Sequence, residues 1–174
     1  MSKNTEVVRM ILRYFWVEGL AMKTTSINAS QVVAAPLDKV WDIISDVDND
    51  SKYYKGINDI KNISKDGNKI EREVTVGFLK HKASQTIILN PQKSVEIRMT
   101  KGPILGTRVT TLSQVDDGNA RIDVSWNFTP SGVPAFVHKM VIIEISNGTK
   151  EALKKIANEL EQKTGERTRE GSSS

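Results

Sequence analysis

The sequence predicts an α+β domain in which a seven-stranded antiparallel sheet packs against one long C-terminal helix, with two short helices after the first strand. Three observations predict it. From about residue 57 to Pro130, apolar and polar residues alternate with a period of two, broken by turn-forming stretches such as KDGN (65–68) and DDGN (116–119). From Pro134 to about Lys163 the apolar spacing changes to that of a helix. Ahead of the alternating region, PLDKVWDIISD (36–46) carries a proline in its first turn and one apolar stripe, the pattern of a short helix.

Taken in order, TSINASQVVA (25–34) is the first strand, with Ile27, Ala29, Gln31 and Val33 on one face and Ser26, Asn28, Ser30 and Val32 on the other. Pro36 ends it. In the helix that follows, Leu37, Val40, Trp41, Ile44 and Val47 form the stripe, and Asp38 sits in the first turn, where the helix dipole favours an acid. The polar segment DVDNDSKYYKGI (46–57) predicts a second short helix holding Tyr53 and Tyr54. Six strands follow: IKNI (60–63), KIEREVTVGF (69–78), ASQTIIL (83–89), SVEIRMT (94–100), TRVTTLSQV (107–115) and ARIDVSWNF (120–128). In the first complete example Ile70, Arg72, Val74 and Val76 share a face, and Glu71, Glu73 and Thr75 point away. In the last strand Ile122, Val124, Trp126 and Phe128 oppose Arg121, Asp123, Ser125 and Asn127. One face is buried and the other wet, as in an antiparallel sheet covered on one side.

The closing helix buries Val137, Val141, Ile145, Thr149, Ala152, Ile156 and Leu160, and turns Lys150, Glu151, Lys154, Lys155, Asn158 and Glu159 to solvent. Gly165 signals its end. Gly148, in mid-helix, marks a bend, a close approach or simple local slack. The organisation expected is an N-terminal extension (1–22), one domain (23–163) and a disordered tail (164–174).

Composition narrows the function. With 174 residues, 38% hydrophobic and 26% charged, the chain has room for one domain with a sizeable core and matches a soluble globular protein. The absence of cysteine excludes disulfides, thiolate metal sites and a thiol nucleophile, and His81 and His138 are too few for a histidine-rich metal centre. No metal and no cofactor is expected. A net charge of +4 permits weak contact with nucleic acid or anionic lipid. Yet Lys52, Lys55, Lys61, Lys65, Lys80, Lys82 and Lys101 are mixed with acids, and no basic stripe interleaved with aromatics exists, so nucleic acid is not an expected partner. Residues 1–21 place Val7, Val8, Ile11, Leu12, Phe15 and Leu20 on one side of a would-be helix. They are either an amphipathic segment making weak membrane-surface contact or residues the domain does not need. The location expected is cytoplasmic, peripheral to a membrane if that segment binds one. No phosphate-binding glycine loop, GxSxG elbow or HExxH pair is present.

The order of elements resembles the START-like helix-grip superfamily (SRPBCC), which includes polyketide cyclases and dehydrases, birch-pollen-type allergens and coenzyme Q-binding lipid chaperones. The residues carrying the likeness are INASQVVAAPLDKVWDIISDVD (27–48), GTRVTTLSQVDDGNARIDVSWNFTP (106–130) and TKEALKKIANELE (149–161). Coenzyme Q-binding relatives carry a proline-and-aromatic stretch after the first helix, whereas SKYYKGINDI (51–60) has tyrosines and no proline, so quinone specificity is not implied. The resemblance implies a curved sheet wrapped around the long helix, with a cavity between them for an apolar ligand.

The expected function is therefore binding or transport of a hydrophobic small molecule (a lipid, isoprenoid quinone or polyketide-like compound), and the alternative is a cyclase or dehydratase using the same cavity. Residue phase nominates Val74, Val76, Val95, Ile97, Met99, Trp126 and Phe128 from the sheet and Val137, Met140, Val141 and Ile145 from the helix as its lining. A core packed solid is the competing reading. Arg72 points to the apolar side and there requires a carboxylate partner or an anionic ligand head group, unless it snorkels to solvent or a bulge reverses its phase. Gln31 could orient a polar group of the ligand or be a satisfied core glutamine. Tyr53, Tyr54 and KGPILG (101–106) would frame the mouth, and His138 and Tyr53 are the candidates for proton transfer.

Overall fold

In the computed structural model the described residues are 24–77 and 80–170, the stretch 164–170 by its backbone alone. The expectations for residues 1–22, including their membrane-surface contact, and for 171–174 lie outside them. The elements are β1 (Thr25–Val33), α1 (Leu37–Ile44), a 3-10 turn (Val47–Asn49), α2 (Asp50–Tyr53), β2 (Ile57–Asp66), β3 (Lys69–Val76), β4 (His81–Asn90), β5 (Ser94–Lys101), β6 (Ile104–Asp116), β7 (Asn119–Pro130) and α3 (Ala135–Glu170). All strand pairs are antiparallel, in the order β1–β7–β6–β5–β4–β3–β2. The two edges are therefore β1 and β2, and α1 and α2 carry the chain from one edge to the other.

The alternation read from sequence holds in β1 and in β3 to β7, but not in the edge strand β2, which is exposed from Lys61 to Asp66 with Ile63 63% open to solvent. In β3 Ile70, Arg72 and Val74 are buried, and in β7 Ala120, Ile122, Val124, Trp126 and Phe128 are buried. The strands run longer than their apolar cores: β6 starts at Ile104, which shortens the expected KGPILG loop to the Gly102–Pro103 turn. A hydrogen bond from the Ser131 N–H to the Pro103 carbonyl ties that turn to the approach to α3. The helix α3 passes through Gly165 and ends at Glu170. One helical glycine costs about 1 kcal/mol relative to alanine, which is too little to stop a helix by itself.

The two halves of α3 differ. From Thr149 onward, Thr149, Ala152, Leu153, Ile156, Ala157 and Leu160 are buried against the sheet and the short helices. Before it, Val137, Val141, Ile142 and Ile145 are half-buried, and Phe136 (86%), Met140 (54%) and Ile143 (47%) are exposed. Gly148 lies at the junction. A Cβ there would meet nothing within 4 Å, which removes the close-approach explanation. Under α1 a second cluster joins Val47, Ile70, Ile87, Val95 and Ile97 with Trp41 and Ile44, so α1 and not α3 covers β3 to β5. No helix among the described residues is long and apolar enough to cross a membrane.

Candidate functional site

Where α2 meets the sheet, three charges are buried together. Arg72 of β3, 1% exposed, is held on three sides. Its Nε donates to Gln85 Oε1 at 2.8 Å, Nη1 to the Val47 carbonyl, and Nη2 to Asp50 Oδ2 at 2.7 Å. Register explains the first contact, since Arg72 of β3 is directly opposite Gln85 of β4. Asp50 stands at the first position of α2 and is 6% exposed. The same Asp50 oxygen accepts from a second guanidinium, Arg108 Nη2 of β6, at a longer 3.4 Å. Arg108 lies with its Cζ 4.0 Å from the Tyr54 ring centroid and 5.6 Å from that of Trp126, a cation–π arrangement. Its Nε, though buried, has no hydrogen-bond partner. Burial lowers the Arg72 pKa, opposed by Asp50. Burial likewise pushes the Tyr54 hydroxyl up, against the opposite pull of Arg108.

Of these groups Asp50, Tyr54 and Arg108 border a cavity. Ile43, Ile44, Val95 and Ile156 form its apolar wall, and Asp50, Tyr53, Tyr54, Arg108 and Thr110 its polar one. It leaves about 10 Å³ for the centre of a water-sized sphere, room for about one water molecule. Of the residues nominated as lining, Val74, Ile97 and Phe128, at most 2% exposed, and Met99, 4% exposed, are buried without bordering this cavity. Val95, Tyr53 and Tyr54 do reach the cavity. Trp126 meets Phe128 edge-on, with centroids 6.0 Å apart, and donates from Nε1 to Thr149 Oγ1 at 3.0 Å, which fixes the indole beneath Arg108. Val76, Val137, Val141 and Ile145 are half-buried, and Met140 is exposed.

Other nominated residues are placed elsewhere. Gln31, half-buried, turns its amide to the carbonyl of its exposed neighbour Val32 at 2.9 Å. The His138 ring shares a hydrogen bond with the Val133 carbonyl at 3.1 Å. Neither borders the cavity described above. Sequence reasoning did not find Asp50, Gln85, Arg108, Thr110 or Glu159. Among the described residues no group of three metal-ligating side chains stands together.

Tyr53 closes the cavity toward α3. Its hydroxyl donates to Glu159 Oε2 at 2.8 Å, while Lys52 and Lys163 pair with the same carboxylate. Burial first, then Glu159, raises the Tyr53 pKa, so the phenol keeps its proton and its hydroxyl clasps Glu159. Burial would raise Glu159, yet the donors Lys163, Lys52 and Tyr53 outweigh it and bring its pKa from 4.5 down to about 2. A carboxylate depressed on folding stabilises the fold above its unfolded pKa and ceases to as pH falls through its folded one. The clasp should therefore hold at full strength above about pH 4.5 and fade between 4.5 and 2. Glu159→Gln should cost about 1 kcal/mol at pH 7. Urea unfolding of both proteins should show that difference unchanged from pH 8 to 5 and shrinking below 4.5; a gap independent of pH down to 3 would refute the clasp.

The family model for polyketide cyclase / dehydrase and lipid transport matches residues 24–161. No curated protein sequence gives a significant match. Among solved structures, the fold is similar to the Zhui aromatase/cyclase of Streptomyces sp. R1128, with TM-score 0.71 and 12% identity over 82% of this chain and 96% of that one. A protein from Thermus thermophilus gives TM-score 0.67 and 12% identity over 78% and 97%. Norcoclaurine synthase of Thalictrum flavum, solved as a point mutant with a transition-state analogue, gives 0.62 and 18% over 82% and 97%. At these identities the likeness is one of fold.

Proposed function

Because the chain belongs to the polyketide cyclase / dehydrase and lipid transport family and has its helix-grip fold, we propose that it binds an apolar small molecule between the sheet and α3. The observation that carries the reading is the cavity itself, an aliphatic wall facing a polar end at which a buried arginine is left under-bonded. A core serving stability alone gains little from two buried guanidinium groups sharing one carboxylate, since an apolar replacement of such a cluster is often as stable. A ligand larger than a water must widen this space, and the half-buried first half of α3, with Gly148 at its base, has the fewest buried side chains to lose on moving, although none of its residues lines the space itself. Affinity would come from burying ligand surface at roughly 25 cal/mol per Å².

The cyclase or dehydratase alternative needs a group that moves protons, and Tyr53 is committed to Glu159. Native mass spectrometry of the gently purified full chain should reveal a non-covalent adduct with an apolar small molecule, lost on organic extraction. An empty protein that converts a linear poly-β-ketone mimic to a cyclised product would overturn the carrier reading in favour of the enzyme.

A further inference from the structure

The charges beside the cavity do not balance. Two guanidinium groups, Arg72 and Arg108, face one carboxylate, Asp50, which among the described residues is the only acidic side chain hydrogen-bonded to either. Asp50 serves Arg72 at 2.7 Å and reaches Arg108 only at 3.4 Å. Arg72 has three acceptors, whereas Arg108 has that one long contact, two aromatic faces and an Nε with no partner. The surplus positive charge therefore rests on Arg108, 5% exposed and bordering the water-sized space. A buried donor without an acceptor is costly, and a second charge without a counter-ion more so. The space beside it has room for about one water molecule.

We propose that this corner is a site for one oxyanion, and that the ligand is an apolar acid whose carboxylate pairs with Arg108 while its hydrocarbon body lies against the wall that α1, β5 and α3 build from Ile43, Ile44, Val95 and Ile156. This rests on the ligand site proposed above and adds the charge and orientation of its occupant. The guanidinium is already desolvated and held between Tyr54 and Trp126, so a carboxylate meets a fixed donor and the protein orders little on binding. Of the rest of the lining, Ile43, Ile44, Val95 and Ile156 give the body an apolar wall, while Tyr53, Tyr54, Thr110 and the Asp50 carboxylate, already engaged by Arg72, complete the polar end beside Arg108.

The test compares 2-naphthoate with its neutral counterpart 2-naphthalenemethanol by titration calorimetry on the full chain at pH 7. The acid should bind at least tenfold more tightly. That preference should persist within about twofold from 50 to 500 mM KCl, because a buried pair is poorly screened whereas attraction to surface lysines is not. In Arg108→Met the preference should vanish, and in Arg108→Lys it should be reduced. Equal affinities in the unmodified protein, a preference abolished by salt, or one surviving in Arg108→Met would each overturn the proposal. The comparison on the unmodified protein decides even if Arg108→Met does not fold. Binding of the alcohol without preference for the acid sinks this inference alone; failure of both molecules to bind sinks the ligand site with it.

Discussion

Asp50→Ala is expected to destabilise the protein by about 3–5 kcal/mol, the cost of leaving a buried charge without its partner. Here the loss falls on two cations at once. Arg72, with a fully buried side chain, would keep Gln85 and the Val47 carbonyl as acceptors but no counter-charge, and Arg108 would lose its one hydrogen-bonding oxygen. With typical domains stable by only about 5–15 kcal/mol, such a loss takes a large share of the total. Asp48, two residues away, is the internal control, since it is exposed, accepts a hydrogen bond from Asn62 Nδ2 at 2.9 Å and acts on Arg72 only through space, as the weakest of the influences on it. Asp48→Ala should fall within about 1 kcal/mol of the parent. Urea midpoints of the two variants measure the contrast. Asp50→Ala with a midpoint as high as Asp48→Ala would mean that water reaches both arginines, and the low-dielectric corner on which the oxyanion proposal depends would be gone.

How far the site could be read from sequence depends on which periodicity carried each residue. Arg72 was legible because it shares the phase of Ile70, Val74 and Val76, and of the alternatives that phase left open the structure gives it the carboxylate partner that burial demands. Arg108 obeys the same rule but in a weaker setting: its in-phase neighbours are Gly106, Thr110 and Leu112, and only the last reads as buried. A signal existed in the alternation but not in the DDGN turn: the Asp116–Asn119 pairing carried on without a break would set Arg108 opposite Asn127, and the register shift between Gln114 and Asp116 brings it opposite the inward Trp126 instead. Asp50 had none, because Asp46, Asp48 and Asp50 follow one another in a turn-rich segment where no period decides which of them is buried. Met140 illustrates the opposite failure: at helical spacing it neighbours Val137 and Val141, yet it falls just outside the buried arc and is exposed. The width of the space between sheet and helix depends on how far side chains from different elements interpenetrate, which no local pattern encodes.

Gly106→Ala is expected to be nearly as damaging, by a backbone route. Gly106 sits in β6 between Met99 of β5 and Phe128 of β7, at φ +140, a conformation that side chains rarely adopt. A Cβ there would lie 2.1 Å from the Asn127 carbonyl oxygen and 2.7 Å from Phe128 Cα. Both are backbone atoms of the paired strand, so no side chain can swing aside, and β6 and β7 must part. Overpacking and backbone strain each cost roughly 1–3 kcal/mol, giving about 4 together. At about 2–4 °C per kcal/mol for a chain of this size, the melting temperature should fall by roughly 8–16 °C. Gly118→Ala is the matched control, as its nearest neighbour would be the Asp116 side chain at 3.9 Å, and it should melt within about 2 °C of the parent. The consequence reaches the site, because Arg108 is two residues on and owes its place opposite Trp126 to the same ladder. A folded Gly106→Ala protein should therefore also lose its preference for 2-naphthoate over the alcohol. A variant melting with the parent and keeping that preference would show that the two strands yield at this point, and that the register of β6 does not hold the guanidinium in place.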